Sequence, residues 1–436
     1  MNLTINTDRL LSELHHLARL TDCPPTQDKS LPEPTQAVTR IVFTPRDLEA
    51  RAWLTAFAEA AGFTVRTDAV GNTFMRWQGT DVSLGAVGTG SHTDAIPHAG
   101  MYDGTVGVLG GLEAMRALKE SGFTPKRSIE TLMFTSEEPT RFGIGCIGSR
   151  LLGGVIDAEE ADKLPDRLPE TDPNAAVGLT LASVREAAGF SGTLASVKLK
   201  PGYYDAWVEL HIEQGPLLER AGIQLGIVTG IAAPASYRYT VEGFGGHAGA
   251  LLMPDRRDAL CAAAEMILSV EKHALAANEK SGGVDTVATV GMVGVHPGAV
   301  NSVPSRVTLT LDVRDTDVAR RDGVMAAFHA DIAVIEQQRR VKISEEKINA
   351  DAPAKSSEHI VETLEAICKA EGASYKKMVS RAYHDSSFIA TVAPIAMIFI
   401  PCRNGVSHRP DEYSTPESIA LGTRILALAL AKLANE

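Results

Sequence analysis

The stretch from Gly88 to Glu138 most constrains how this chain can fold. A short apolar run, Leu84 to Val87, passes into Gly-Thr-Gly-Ser and then His92 and Asp94. Asp103 follows, immediately before a glycine-rich amphipathic segment from about Gly104 to Ser121, with Gly122 as its stop. A second apolar run, Thr131 to Thr135, breaks off into Glu137-Glu138. The order is strand, loop, helix, strand, with hard side chains at the strand ends and the helix start. In open α/β sheets the carboxyl ends of strands collect ligands and catalytic groups. The pattern therefore predicts an α/β catalytic domain with a metal site.

At 436 residues the chain exceeds one typical core, so two domains are expected. A net charge of −12 argues against a nucleic-acid partner. No run of about 20 apolar residues is present, so no membrane span is expected. Five scattered cysteines without a CxxC pair fit a reducing compartment, and the amphipathic N-terminus is not a signal peptide; both point to the cytoplasm.

Periodicity predicts a helix over 8–20 with Asp8 as its cap, a loop over 21–45, a helix from Thr44 to Ala61 and strands at 64–68 and 72–77. Residues 139–205 read as short helices and polar loops. WVELHIEQG, Trp207 to Gly215, reads as an alternating strand with His211 and Glu213 on one face, and a further strand covers 224–230. From about Ile231 the texture changes to two strand–helix–strand units, with strands at 237–242, 284–293, 307–314 and 341–348 and helices at 256–273 and up to about 338. The expected organisation is a catalytic domain in two parts, 1–230 and 351–436, around an inserted α+β domain at 231–350. Helix 357–371, strand 395–400 and helix 416–434 complete the second part.

His92, Asp103, Glu138, His211 and His408 offer nitrogen and oxygen ligands, each after a strand or beside a glycine turn. One carboxylate shared between two divalent ions, with two further ligands on each, would use all five. Singly, each has a plainer reading; Asp103, for example, could simply cap a helix. Consecutive residues leaving a strand point in different directions, so Glu138 can bind metal while Glu137 faces water as a general base. Arg314 on the polar face of VTLTLDVR could clamp a carboxylate bidentately, with Asn301 nearby, or could be a solvated surface charge. His247 in a Gly-rich turn could donate to an oxyanion or be only a turn residue. Ligands without thiolate suit Mn²⁺, Zn²⁺, Ni²⁺ or Co²⁺. No GxSxG elbow is present, and no cysteine lies in the context of a catalytic nucleophile.

In order along the chain, TGSHTD, MYDGTVGVLGGLEA, FTSEEPTRFG, LHIEQGPLLE, GGHAG, NSVPSRV, LDVRD and VSHRPDEY resemble the amidase (hydantoinase/carbamoylase) branch of the metallopeptidase M20 family. That branch holds N-carbamoyl-L-amino acid hydrolases, allantoate amidohydrolases and ureidoglycolate amidohydrolases. FTSEEPTRFGIGCIGSRLLGG, RAYHDSSFIA and MIFIPCRNGVSHRPDEYSTPE resemble the ureidoglycolate type, Pro139 and Tyr383 departing from the general EEGxRF and GAGHDA-like patterns. The resemblance implies a dinuclear-metal α/β domain with a lid that also dimerises. It implies that Asp103 bridges, that His92 and His211 complete one metal, and that Glu138 and His408 complete the other. It makes Glu137 the base, His247 an oxyanion donor reaching into the partner of a homodimer, Asn301 and Arg314 substrate contacts, and Gln214 and His384 neighbours of the substrate. It favours Mn²⁺ and a carboxylate-bearing ureido or amide substrate. Within the branch, the alternatives are an N-carbamoyl amino acid, allantoate, or an amide-linked N-acyl amino acid such as an aspartate conjugate.

Overall fold

The computed structural model describes residues 3–24, 28–168 and 178–436. Parts of the expected loop regions, at 25–27 and 169–177, lie outside them. The chain divides into two compact units, one formed by 1–229, 355–378 and 384–436 and the other by 230–354 and 379–383.

The first unit is built on a nine-stranded mixed sheet. Its middle strands, Ile395–Ile400, Tyr204–Ile212, Ala86–His92 and Ile129–Phe134, run parallel in that order across the sheet. Thr73–Trp77 and then Thr64–Thr67 extend it antiparallel. The parallel strands are buried almost throughout, as expected where helices cover both faces. Helices Thr105–Glu120 and Pro416–Ala434 pack on one face, and their glycines set how close they come. A Cβ at Gly107 would lie 2.5 Å from the Leu210 carbonyl. Gly90 has a φ of 142°, and a Cβ there would collide with the Leu132 carbonyl of the neighbouring strand.

Several boundaries depart from the periodicity. The first helix spans Thr7–Arg19 and is capped by Asn6, whose side chain accepts the Arg9 N–H at 3.0 Å, so Asp8 lies inside its first turn. The 21–45 region holds a strand, Val38–Arg40, paired antiparallel with Ala95–Ala99. The central strand begins at Ala86 and continues through Gly-Thr-Gly-Ser to His92, because the glycines fit the tight packing rather than ending it. WVELHIEQG does not alternate between core and solvent. Its strand is Tyr204–Ile212, buried on both faces, and Glu213 turns out of it to accept the N–H groups of Leu217 and Leu218 at 2.7 and 2.8 Å.

The second unit is an antiparallel sheet in the order Val287–His296, Arg306–Asp315, Ala233–Glu242, Lys342–Ala350. Val307, Leu309, Leu311 and Val313 are buried with Met266 and Phe328 of the helices Ala259–Ser281 and Val318–Arg339. The first of these helices starts later than its pattern indicated because Asp258 caps it, accepting from the N–H groups of Leu260 and Cys261.

Candidate metal centre

Four strand ends of the first unit converge. His92 closes Ala86–His92, Glu137 and Glu138 follow Ile129–Phe134 by a tight turn, His211 is the penultimate residue of Tyr204–Ile212, and His408 lies in the loop after Ile395–Ile400. Asp103 stands just before the helix that crosses back between the first two, beside Gly104 with a φ of 67°.

Asp103 lies at the middle. Its Oδ1 is 3.7 Å from His92 Nε2 and 3.2 Å from His211 Nε2, and its Oδ2 is 3.2 Å from His408 Nε2. His408 Nε2 is also 3.3 Å from Glu138 Oε1. The donor atoms form two trios, His92–Asp103–His211 and Asp103–Glu138–His408, each within 4.8 Å and sharing Asp103. Nitrogen and carboxylate donors without thiolate fit first-row divalent ions. The imidazoles are oriented for this. Nδ1 of His92 lies 2.9 Å from the Asp94 carbonyl and Nδ1 of His211 2.9 Å from that of Ile212. A proton held there leaves each Nε2 lone pair directed at the centre.

Burial opposes ionisation of Asp103, but hydrogen bonds to His211, His408 and His92 outweigh it and hold its carboxyl well below the usual range. Burial likewise disfavours protonated His408, yet Asp103 and Glu138 raise its pKa. Cation binding requires neutral imidazoles and so releases such protons.

Glu137 is arranged differently. Burial pushes its carboxyl well above the usual range, opposed by His92 and reinforced by Glu138. Its Oε2 is 3.6 Å from His92 Nε2, beside the trios. Gln214, also with a left-handed φ of 53°, donates from Nε2 to Asp103 Oδ2 at 2.7 Å. His384 is buried with its ring centroid 4.5 Å from that of His211.

His247, Asn301 and Arg314 belong to the second unit. His247 pairs with Ser302 across a short ladder, and the Ala248 N–H donates to the Asn301 carbonyl at 2.9 Å, so His247 and Asn301 share one corner. Arg314 donates from Nε to Asp312 Oδ1 at 2.7 Å across the polar face of its strand.

Two further residues support the centre: Asp94, which the sequence places at the strand end without a role, and Glu412, which it does not mark. Asp94 accepts the N–H groups of Glu137 and Glu138 at 3.3 and 3.0 Å. Glu412 accepts those of Tyr102 and Asp103 at 2.9 and 3.0 Å and lies 2.9 Å from the Ser407 hydroxyl. Burial and the nearby Asp103 push Glu412 up to about 7. Their visible signal was a carboxylate a few residues beyond a candidate histidine ligand.

The chain is 49% identical to ureidoglycolate hydrolase from Oryza sativa subsp. japonica, over 98% of this chain and 85% of that protein. It is 38% identical to N-carbamoyl-L-amino acid amidohydrolase from Geobacillus stearothermophilus, over 92% and 95%. Crystal structures of AtUAH in complex with glyoxylate and with (S)-hydroxyglycine each match it with a TM-score of 0.86 at 46% identity, covering 99% of this chain and 98% of that one. The sequence model of peptidase family M20/M25/M40 matches residues 88–432, the span that holds every residue of the centre, and the chain belongs to that family.

Proposed function

We propose that this protein is a metal-dependent amidohydrolase that converts (S)-ureidoglycolate to glyoxylate, carbon dioxide and ammonia. The observation that carries the reading is the pair of donor trios sharing Asp103, with the separately oriented carboxylate of Glu137 beside them. Similarity to ureidoglycolate hydrolase along nearly the whole chain supports the substrate. So do the glyoxylate and (S)-hydroxyglycine bound in AtUAH.

In this reading His92, Asp103 and His211 hold one divalent ion, Asp103, Glu138 and His408 hold a second, and Mn²⁺ is the favoured metal. When bound, such ions polarise a carbonyl and ease the deprotonation of water. Glu137 takes the proton as water adds to the ureido carbon. It then delivers the proton to the terminal nitrogen as the C–N bond breaks and ammonia leaves. His247 donates a hydrogen bond to the developing oxyanion. Arg314 and Asn301 hold the substrate carboxylate end, and Gln214 and His384 line the substrate's surroundings. The carbamate left behind loses carbon dioxide, and the remaining hydroxyglycine collapses to glyoxylate and a second ammonia.

The active form is a homodimer in which His247 serves the partner's centre. A cytoplasmic setting is consistent with five free cysteines, and no helix among the described residues is long and apolar enough to cross a membrane.

Ammonia release by metal-stripped, Mn²⁺-reloaded protein on (S)-ureidoglycolate, allantoate and an N-carbamoyl-L-amino acid tests the reading. Release from ureidoglycolate far above the others is expected. Activity confined to allantoate or the carbamoyl amino acid would overturn the substrate.

A further inference from the structure

Glu137 has two carboxylate oxygens in different surroundings. Oε2 faces His92 Nε2, and Oε1 lies 3.4 Å from the thiol of Cys146, placed to accept its proton as a hydrogen bond. This contact is built into the backbone. The Cys146 N–H donates to the Glu137 carbonyl at 2.8 Å, Ile147 to Ser136 at 3.0 Å, and Gly148 to Thr135 at 2.9 Å. The segment that carries Cys146 is thus laced onto the turn that carries the base. Gly145 lies where a Cβ would come within 2.6 Å of the same Glu137 carbonyl, so nothing larger allows this approach.

Cys146 and the residue before Glu137 sit in unusual backbone. Ser136 has a φ of 57° and Cys146 a φ of 59°, the left-handed region that glycine or asparagine occupies at lower cost. A cysteine at such a position delivers a side chain that glycine lacks. That side chain is fully buried. Burial keeps the proton on sulfur, so the group beside Glu137 is a neutral donor.

We infer that Cys146 is a positioning residue for the general base: its thiol holds Oε1 of Glu137, so that Oε2 is the oxygen that exchanges the proton with water and the leaving nitrogen. The inference rests on the reading of Glu137 as base. A neutral donor suits the task because it orients the carboxylate without the large stabilisation of its charged form that a cationic donor would bring.

The test uses Cys146→Ala and Cys146→Ser in the full-length, Mn²⁺-loaded protein, with Glu137→Gln beside them. Cys146→Ala is expected to lower kcat by about 5–10-fold, the loss of one modest hydrogen bond, with KM and bound metal near wild type. Cys146→Ser, which keeps a donor, retains more of kcat than Cys146→Ala. An independent readout needs no turnover: the S–H stretching band isolated in the infrared difference between wild type and Cys146→Ala should shift when Glu137 is changed to Gln. Wild-type kcat in Cys146→Ala, a serine variant as impaired as the alanine one, or an S–H band indifferent to Glu137→Gln would each overturn the inference. Full turnover in Glu137→Gln would overturn the base itself, and this inference with it. Lost turnover there with wild-type kcat in Cys146→Ala would overturn the positioning role alone.

Discussion

The carboxylate of Asp94 receives the backbone N–H of Glu138 at 3.0 Å, and its other oxygen receives that of Glu137 at 3.3 Å. One side chain from the end of one strand thus fixes the turn at the end of its neighbour. The left-handed Ser136 allows that turn, and the Asp94 carbonyl orients His92 as well. Supports of this kind typically govern metal affinity or activity by 10–100-fold. Asp94→Ala should therefore lower kcat/KM by about that factor and leave all five proposed ligands in the chain. Steady-state kinetics with metal content per subunit checks it, and kinetics within twofold of wild type would contradict the role.

Asp385 is fully buried behind the centre, beside the Ser149 hydroxyl. Burial, reinforced by Glu209 and opposed by His92, pushes its carboxyl from 3.8 up to about 8. A carboxyl raised in the folded state favours folding while it is protonated. Its contribution is complete below its unfolded value and is lost as pH rises through about 8. Stability should accordingly fall between about pH 4 and pH 8, by at most about 1.4 kcal/mol per pH unit from this group. Asp385→Asn should flatten that slope in denaturant unfolding measured across the range. An unchanged slope would place the titration elsewhere.

Arg314 is held at its strand by Asp312, both on the polar face opposite the buried Val313 and Leu311. If it meets the substrate carboxylate, Arg314→Ala should raise KM for ureidoglycolate by about 10–100-fold, the cost of a charged hydrogen-bonded contact. Arg314→Lys should not restore it, since an ammonium lacks the planar fork. An unchanged KM in Arg314→Ala would return the residue to the solvated surface charge that its sequence position equally allowed.

Where burial alternates or apolar runs are long, the fold was legible. Val307 to Val313 and Ile395 to Ile400 read directly as strands because their side chains report their surroundings. The Ala86–His92 strand was harder, since its second half is Gly-Thr-Gly-Ser-His, a composition that reads as loop. Only the crowding of Leu132 against Gly90 explains why glycine stands there. Val38–Arg40 was invisible because it is three residues long and depends on a partner more than fifty positions away. At the centre, ligand types are legible because few side chains offer nitrogen or carboxylate donors at strand ends. Asp94 and Glu412 show only as carboxylates two and four residues beyond a candidate histidine, because they act through backbone N–H groups, and Cys146, acting through a neighbouring carboxylate, leaves no spacing pattern.

The role of Glu137 is the hinge of the account, and Glu137→Gln tests it most directly. The substitution keeps shape and removes the ability to take a proton. Ammonia release from (S)-ureidoglycolate should fall by about 10²–10⁴-fold, the range of general acid–base catalysis, while metal per subunit measured by mass spectrometry stays at the wild-type value. Substantial turnover in the fully metal-loaded variant would contradict the account.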